Sequence, residues 1–321
     1  MKKLGLITLV LLMFAFLMAS CQPNVQEVEE STTTQKKQYI VFVTPLLGNE
    51  LFLDSKLGYE DAAKEMDFDT LWVGSDSVDM DVMVQHIETC IVEKVDGIIS
   101  CPVNPSAFEP VYKKASDAGI PIVNMVVDSA EDTRLAYVGT DHKTFGEEAA
   151  KALGEKMNGS AKVAVMQGPM DAANTNAQIE AFINYCKTNY PDVEIVVREG
   201  CDDDLQIAID KTNAILQAYP EINAFWSVNG VASTAISQVF EEKNITSDDI
   251  VFLACDEVSV VLDSIRNGYT WSTLAQNFYT MGYEPAKIIM DHINGKPTES
   301  IVDSGVTLIS KDNIDTYKDN R

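Results

Sequence analysis

The chain has 321 residues, with 24 Lys and Arg against 49 Asp and Glu, for a formal net charge of −25. A surface this acidic excludes nucleic acid and anionic lipid headgroups as electrostatic partners. The length suits two domains of ordinary size, each burying its own core.

The first residues, MKKLGLITLVLLMFAFLMASC, place Lys2 and Lys3 ahead of an apolar run that closes on Ala19 and Ser20 before Cys21. This is the pattern of a secretory leader, not of a membrane span, because no charged stop-transfer flank follows. The stretch Leu17-Met18-Ala19-Ser20-Cys21 resembles the bacterial lipobox, which implies lipidation at Cys21 and anchoring to a membrane surface. Residues 22–37 are polar and without period, the composition of a disordered tether. Removal of Lys2 and Lys3 with the leader leaves 22 bases against 49 acids, a net charge of about −27. Cys90, Cys101, Cys186, Cys201 and Cys255 are odd in number and lack CxxC spacing, so they read as small apolar residues and not as a disulfide framework. His86, His142 and His292 stand apart from one another and from the cysteines, so no metal site is expected.

From residue 39 onward strand and helix alternate. Residues 39–43 (YIVFV) read as a strand buried on both faces, followed by a loop over 46–52 and a helix from about 54 to 66. Strands are expected at 70–74, 97–101 and 120–126, with helices over 80–94 and 107–118 between them. Residues 136–141 (AYVGTD) combine a β run with Gly139 and short polar residues, which suits an extended segment leaving one half and entering another. The second half repeats the order, with strands at 161–166, 193–198, 224–227 and 250–255 and helices over 174–190, 204–219 and 230–243. A return strand at 273–276, a helix over 279–293 packing back on the first half, and a last crossing over 302–309 complete the chain. Alternation of this kind calls for parallel sheets covered by helices on both faces.

Ligands of open parallel sheets bind beyond the carboxyl ends of the strands. Those ends carry Asn49, Glu50 and Phe52, then Asp128, then Asn174 and Asn176, then Asp203 within an Asp202–Asp204 run, then Asn229, Asp256 and Gln276. Amides and carboxylates with an aromatic ring suit a polyhydroxylated ligand, since they take paired hydrogen bonds from adjacent hydroxyls while a ring covers C–H surface. The Asp run also reads as a solvated turn or helix cap, and Trp72, Trp226 and Trp271 read as core. No Gly-x-Ser-x-Gly elbow or phosphate-cradling loop with a Lys is present. Convergence of Asp128, Asp203 and Asp256 leaves a glycoside hydrolase open as an alternative.

Gly48-Asn49-Glu50-Leu51-Phe52, Val95-Asp96-Gly97-Ile98-Ile99, Ala118-Gly119-Ile120-Pro121-Ile122-Val123, Tyr137-Val138-Gly139-Thr140-Asp141 and Ala275-Gln276-Asn277 ahead of Met281-Gly282 together resemble the ribose-binding-protein type of periplasmic sugar-binding proteins. The likeness runs from residue 39 to 309. It implies an α/β fold of two Rossmann-like lobes joined by a three-crossing hinge, the type I periplasmic binding protein, and capture of a sugar or polyol for an ABC transporter without catalysis or cofactor. It places Asn49, Phe52, Asn229, Asp256 and Gln276 at the ligand. It also marks two departures: the family's Asp and Arg fall at Val126-Val127, leaving Asp128 as a shifted candidate, and its helix Arg falls at Asn176.

The expected organisation is a leader over 1–20, lipidated Cys21 and tether over 21–37, a first lobe from 38–140 plus 276–303, and a second from 141–275 plus 304–321. The expected protein is a monomer, lipid-anchored on the outer face of a bacterial membrane, with a transporter permease or a membrane sensor as partner. A receptor for a sensor kinase or for a furanosyl signal molecule is the alternative within binding proteins, and a cell-surface glycoside hydrolase the alternative outside them. A transcription-factor reading is excluded, because a leader and not a DNA-binding helical segment precedes Tyr39.

Overall fold

The computed structural model describes residues 37–320; the leader, the tether and Cys21 lie outside the described residues. Twelve strands form two six-stranded sheets. The first has the order β11-β5-β4-β3-β1-β2, built from Tyr39–Val43 (β1), Asp69–Val73 (β2), Gly97–Ser100 (β3), Ile122–Met125 (β4), Ala136–Gly139 (β5) and Ile301–Asp303 (β11). The second has the order β12-β10-β9-β8-β6-β7, from Ser160–Gln167 (β6), Asp192–Gly200 (β7), Ala224–Ser227 (β8), Val251–Cys255 (β9), Ser272–Ala275 (β10) and Thr307–Ser310 (β12). Every pairing is parallel except β10 with β12.

Alternate residues of each central strand feed opposite cores, as the two-residue period of a strand buried on both faces requires. Ile40 and Phe42 of β1 join one cluster while Val41 and Val43 join the other. Ala164 and Met166 of β6 likewise part from Val163 and Val165. The three tryptophans behave as packing residues: Trp226 is fully buried and stacked on Phe182, Trp72 lies edge-on to Phe42, and Trp271 is half-buried beneath Lys156.

Among the described residues nine α-helices cover the sheets: Glu50–Met66 (α1), Met80–Glu93 (α2), Pro105–Asp117 (α3), His142–Lys156 (α4), Ala173–Asn189 (α5), Leu205–Ala218 (α6), Gly230–Lys243 (α7), Ser259–Asn267 (α8) and Phe278–Ile293 (α9). Helix α1 begins at Glu50 and not near 54, because Asn49 accepts from the backbone N–H of Leu51 and Phe52 and so starts the helix inside the expected loop. The last crossing, expected as one strand over 302–309, is two short strands, one in each sheet, separated by Ser304-Gly305-Val306. Helix α9 packs on α1 with backbones almost in contact: a Cβ on Gly58 would lie 2.1 Å from the Tyr279 carbonyl oxygen, and one on Gly282 1.8 Å from that of Ser55.

The chain passes between the sheets three times, after β5, after β10 and after β11, and the crossings are tied together. The Ser304 hydroxyl donates to the Gln276 carbonyl at 2.9 Å, Thr140 Oγ1 donates to the same carbonyl at 3.4 Å, and the two hydroxyls lie 3.2 Å apart. The Asp303 carboxylate accepts from the backbone N–H of Asp141 and of Gly305.

The five described cysteines are free and buried. Burial pushes the thiols of Cys90 and Cys101 up to about 12 and that of Cys186 up to about 11, so they stay protonated. Among the described residues no helix is long and apolar enough to cross a membrane.

The α1/α9 contact leaves no room for a methyl group at either glycine. Gly282→Ala is expected to cost about 1–3 kcal/mol through forced separation of the two helices, measured by denaturant unfolding of the ligand-free protein. The same substitution at exposed Gly48, where an added Cβ would meet nothing within 4 Å, is the neutral control.

Candidate functional site

The carboxyl ends of β7, β8, β9 and β10 carry four of the sequence candidates in the second lobe, as two hydrogen-bonded pairs, Asp203 with Asn229 and Asp256 with Gln276. Asp256 follows β9 in left-handed backbone, with φ at 68°. Its N–H donates to the Leu274 carbonyl at 2.9 Å, and the Thr273 hydroxyl donates to the Asp256 carbonyl at 2.6 Å, so β10 holds it on both sides. The side chain accepts from Gln276 Nε2 at 2.7 Å. It is only 7% exposed, and burial raises its carboxyl above the ordinary range, opposed by the bonds from Gln276 and the Cys255 thiol. Asp256 does not cap the following helix: the cap position of α8 is Val258, which makes no side-chain bond.

Asn229 carries two contacts. Its Oδ1 accepts from the Ala232 N–H at 2.9 Å and caps α7, while its Nδ2 donates to Asp203 Oδ1. Within the run, Asp204 caps α6 by accepting from Ile207 N–H, so cap and site partner are neighbouring residues. Gly168 makes room for the Asp203–Asn229 pair, since a Cβ there would lie 2.6 Å from Asp203 Oδ1 and 3.0 Å from Asn229 Nδ2. Gly230 does the same beside Asp256, whose Oδ2 would be 3.3 Å from a Cβ.

The remaining candidates are engaged otherwise. Asn176 Oδ1 accepts from Gln167 and from Arg198, and its Nδ2 donates to the Met170 carbonyl at 3.1 Å. Asn174 is exposed in the first turn of α5. In the first lobe, Asn49 Oδ1 is spent on the α1 cap, which leaves its side-chain amide with N–H donors. Phe52 is half-buried, edge-on to Phe278 at 5.9 Å. Both Asp128 oxygens accept from Arg134, whose side chain is 1% exposed, and Oδ1 also accepts from Ser129 N–H. Glu50 is exposed and reaches Ser259 at the start of α8.

Two residues escaped the sequence reading. Arg198 of β7 donates through Nε to Gln167 Oε1 at 2.6 Å and through Nη2 to Asn176 Oδ1, bringing a guanidinium to the position from which the resemblance expects a helix arginine. The available signal was an arginine inside a Val/Ile strand, where an unpaired charge is costly and a partner is therefore required. Arg134, eight residues beyond Val126, is buried and spends its guanidinium on Asp128 and on the Ser300 carbonyl.

A cavity of about 500 Å³, lined by Lys162, Phe182, Cys186 and Val193 among others, lies at the amino ends of β6 and β7. The strand geometry places binding at the opposite, carboxyl ends, where the polar groups converge. Among the described residues no group of three or more His, Cys, Asp or Glu is arranged to hold a metal ion.

Two mostly parallel α/β sheets, three tied crossings and polar strand ends define a type I periplasmic binding protein. Residues 40–297 match the family described as periplasmic binding protein domain, and the chain belongs to that family. It is 24% identical over 309 residues to the ribose import binding protein RbsB of Bacillus subtilis (strain 168), covering 96% of this chain and 99% of that protein. A solved ABC transporter solute-binding protein from Burkholderia graminis C4D1M, in complex with D-arabinose, is similar with TM-score 0.78 and 27% identity, covering 88% of this chain and 98% of that one. A chain of a XylFII-LytSN complex is similar with TM-score 0.73 and 29% identity, covering 86% and 98%.

A carboxyl raised by burial favours its protonated form in the folded state. The wild type therefore loses stability as pH rises from the unfolded value, about 4, through the raised folded value. Asp256→Asn keeps an acceptor for Gln276 and removes the buried charge. Ligand-free Asp256→Asn is expected to melt higher than wild type at pH 7.5 and to lose that advantage near pH 4, as read by scanning calorimetry. A lower melting temperature at pH 7.5 overturns the assignment.

Proposed function

We propose that the chain is a lipid-anchored extracytoplasmic binding protein that captures a sugar or related polyol between its lobes and delivers it to an ABC transporter, without catalysing a reaction. The observation that carries this reading is the set of two bonded pairs, Asp203 with Asn229 and Asp256 with Gln276, at the carboxyl ends of one sheet. An ionised carboxylate accepts while an amide both donates and accepts, so such a set matches neighbouring hydroxyls that do both. Asn49 and Phe52 are the partners proposed from the first lobe, one as a donor and one as a ring face. Asp128 and Asn176 then act as supports, because their polar atoms are already taken. Relatives that bind ribose and D-arabinose favour a pentose or similar sugar.

The test is a thermal-shift panel of pentoses, hexoses and polyols. A ligand at 100 times its dissociation constant adds about 2.7 kcal/mol, a rise of several degrees. Asp256→Asn is expected to bind the responding sugar about tenfold or more weakly, since an amide cannot accept from two hydroxyls as a carboxylate does. Absence of any response across the panel overturns sugar binding, and release of modified product supports the hydrolase alternative instead.

A membrane sensor is the second reading for the partner, favoured by the similarity to a chain found in a complex with LytSN. The anchor rests on Cys21 and its Leu-Met-Ala-Ser context. Cys21→Ala is expected to shift the protein from the membrane fraction to the soluble one with an unchanged melting temperature. Membrane retention of the variant, with no acyl mass on the wild type, removes the anchor.

A further inference from the structure

Among the described residues, seven of the nine α-helices carry a side-chain cap from the residue that precedes them, namely Asn49, Asp79, Asn104, Asp141, Asp204, Asn229 and Asn277. Helix α8 does not, since its cap position is Val258. Its first N–H is met from the other lobe: Ser259 N donates to Glu50 Oε1 at 3.0 Å and Oε2 at 3.1 Å, and the Ser259 hydroxyl donates to Oε2. Glu50 is itself the first residue of α1, so the amino ends of two helices, each carrying partial positive charge, meet at one carboxylate. One turn further along α1, Asp54 pairs with Lys318 of the carboxyl-terminal segment at 3.3 Å. Glu50 and Asp54 stand four residues apart on one helical face, so both grip the second lobe from the same side.

We infer that Glu50 is an affinity-setting positioning residue and not a contact to the ligand: it supplies the missing cap of α8 when the lobes meet, and with the Asp54–Lys318 pair it biases the free protein toward the closed state. This rests on the proposed binding function for its consequence, though not for its mechanism. Opening the lobes breaks the bonds between Glu50 and Ser259 and leaves the α8 amino end without its carboxylate partner, so the contact favours closure before any ligand arrives. A binding-competent state populated in advance raises apparent affinity for every ligand of the cleft by the same factor.

Two substitutions break the contact from opposite sides. Glu50→Ala removes the acceptor. Ser259→Pro removes both donors at a first helical position, where proline is well accommodated, and Val258 already has φ −69° and ψ 144°, the extended backbone that a following proline requires. Small-angle scattering of the ligand-free proteins is expected to give a larger radius of gyration for either variant than for wild type. Titration with the sugars that respond in the thermal panel should show each variant weakened roughly three- to tenfold, by a common factor, with rank order preserved. The double variant should be no weaker than either single one, because both remove one interaction.

A changed rank order among sugars would put Glu50 in the binding site and overturn the inference. Unchanged radius and affinities would reduce the contact to a surface pairing and overturn it equally. If no sugar binds, the proposed function fails, while the ligand-free radius still decides whether the contact holds the lobes together.

Discussion

The arrangement depends on the restraint at Gln276. Its backbone carbonyl accepts from Thr140 and Ser304, which belong to the other two crossings, and its side-chain amide donates to Asp256. One residue therefore ties the three connections between the lobes and orients the carboxylate at the strand ends. Side-chain hydroxyls and the Asp303 carboxylate tie the junction, together with one backbone bond from Ser304 N–H to the Gly139 carbonyl at 3.0 Å. Rigid packing resumes immediately beyond it. Helix α9 starts two residues later and meets α1 with almost no side chain between the backbones at Gly58 and Gly282. Any motion at the junction is thus passed to α1 as a whole, including Glu50 and Asp54 on its outer face.

Asp256 shows how the site conflicts with the fold that carries it. Positive φ, near-complete burial and a carboxylate raised by desolvation are each unfavourable for an isolated aspartate, and backbone bonds on both sides hold it against them. Gly230 and Gly168 keep side-chain carbon away from the same cluster. Strain gathered at these strand ends while the strand interiors stay regular falls on the residues proposed to meet the ligand, and packing alone gives no reason to retain it.

Much of the architecture was legible because its signals are local. Runs such as YIVFV and AFWS announce strands buried on both faces, and turn residues punctuate them at the spacing of strand–helix units. Boundaries slipped where a polar residue has two possible uses. Asn49 looked like a loop residue facing a ligand and is also a helix cap, which moved the start of α1 back to Glu50. Residues 302–309 looked like one extended run, yet their halves pair with different sheets, a distinction made only by long-range partners. The site was legible as a collection of residue types but not as contacts. Arg198 reaches Asn176 across 22 residues of sequence and Glu50 reaches Ser259 across 209, and neither separation leaves a trace in local pattern.

The buried cysteines have a consequence for handling and for cellular fate. In the native state the thiols of the five described cysteines are protonated and shielded, so oxidants and reductants find none of them reactive in the folded state. Unfolding exposes five reactive positions at once, with no native pairing to guide them back. Oxidation then competes directly with refolding, and every bridge formed is a wrong one. The fold itself is thus what protects these thiols.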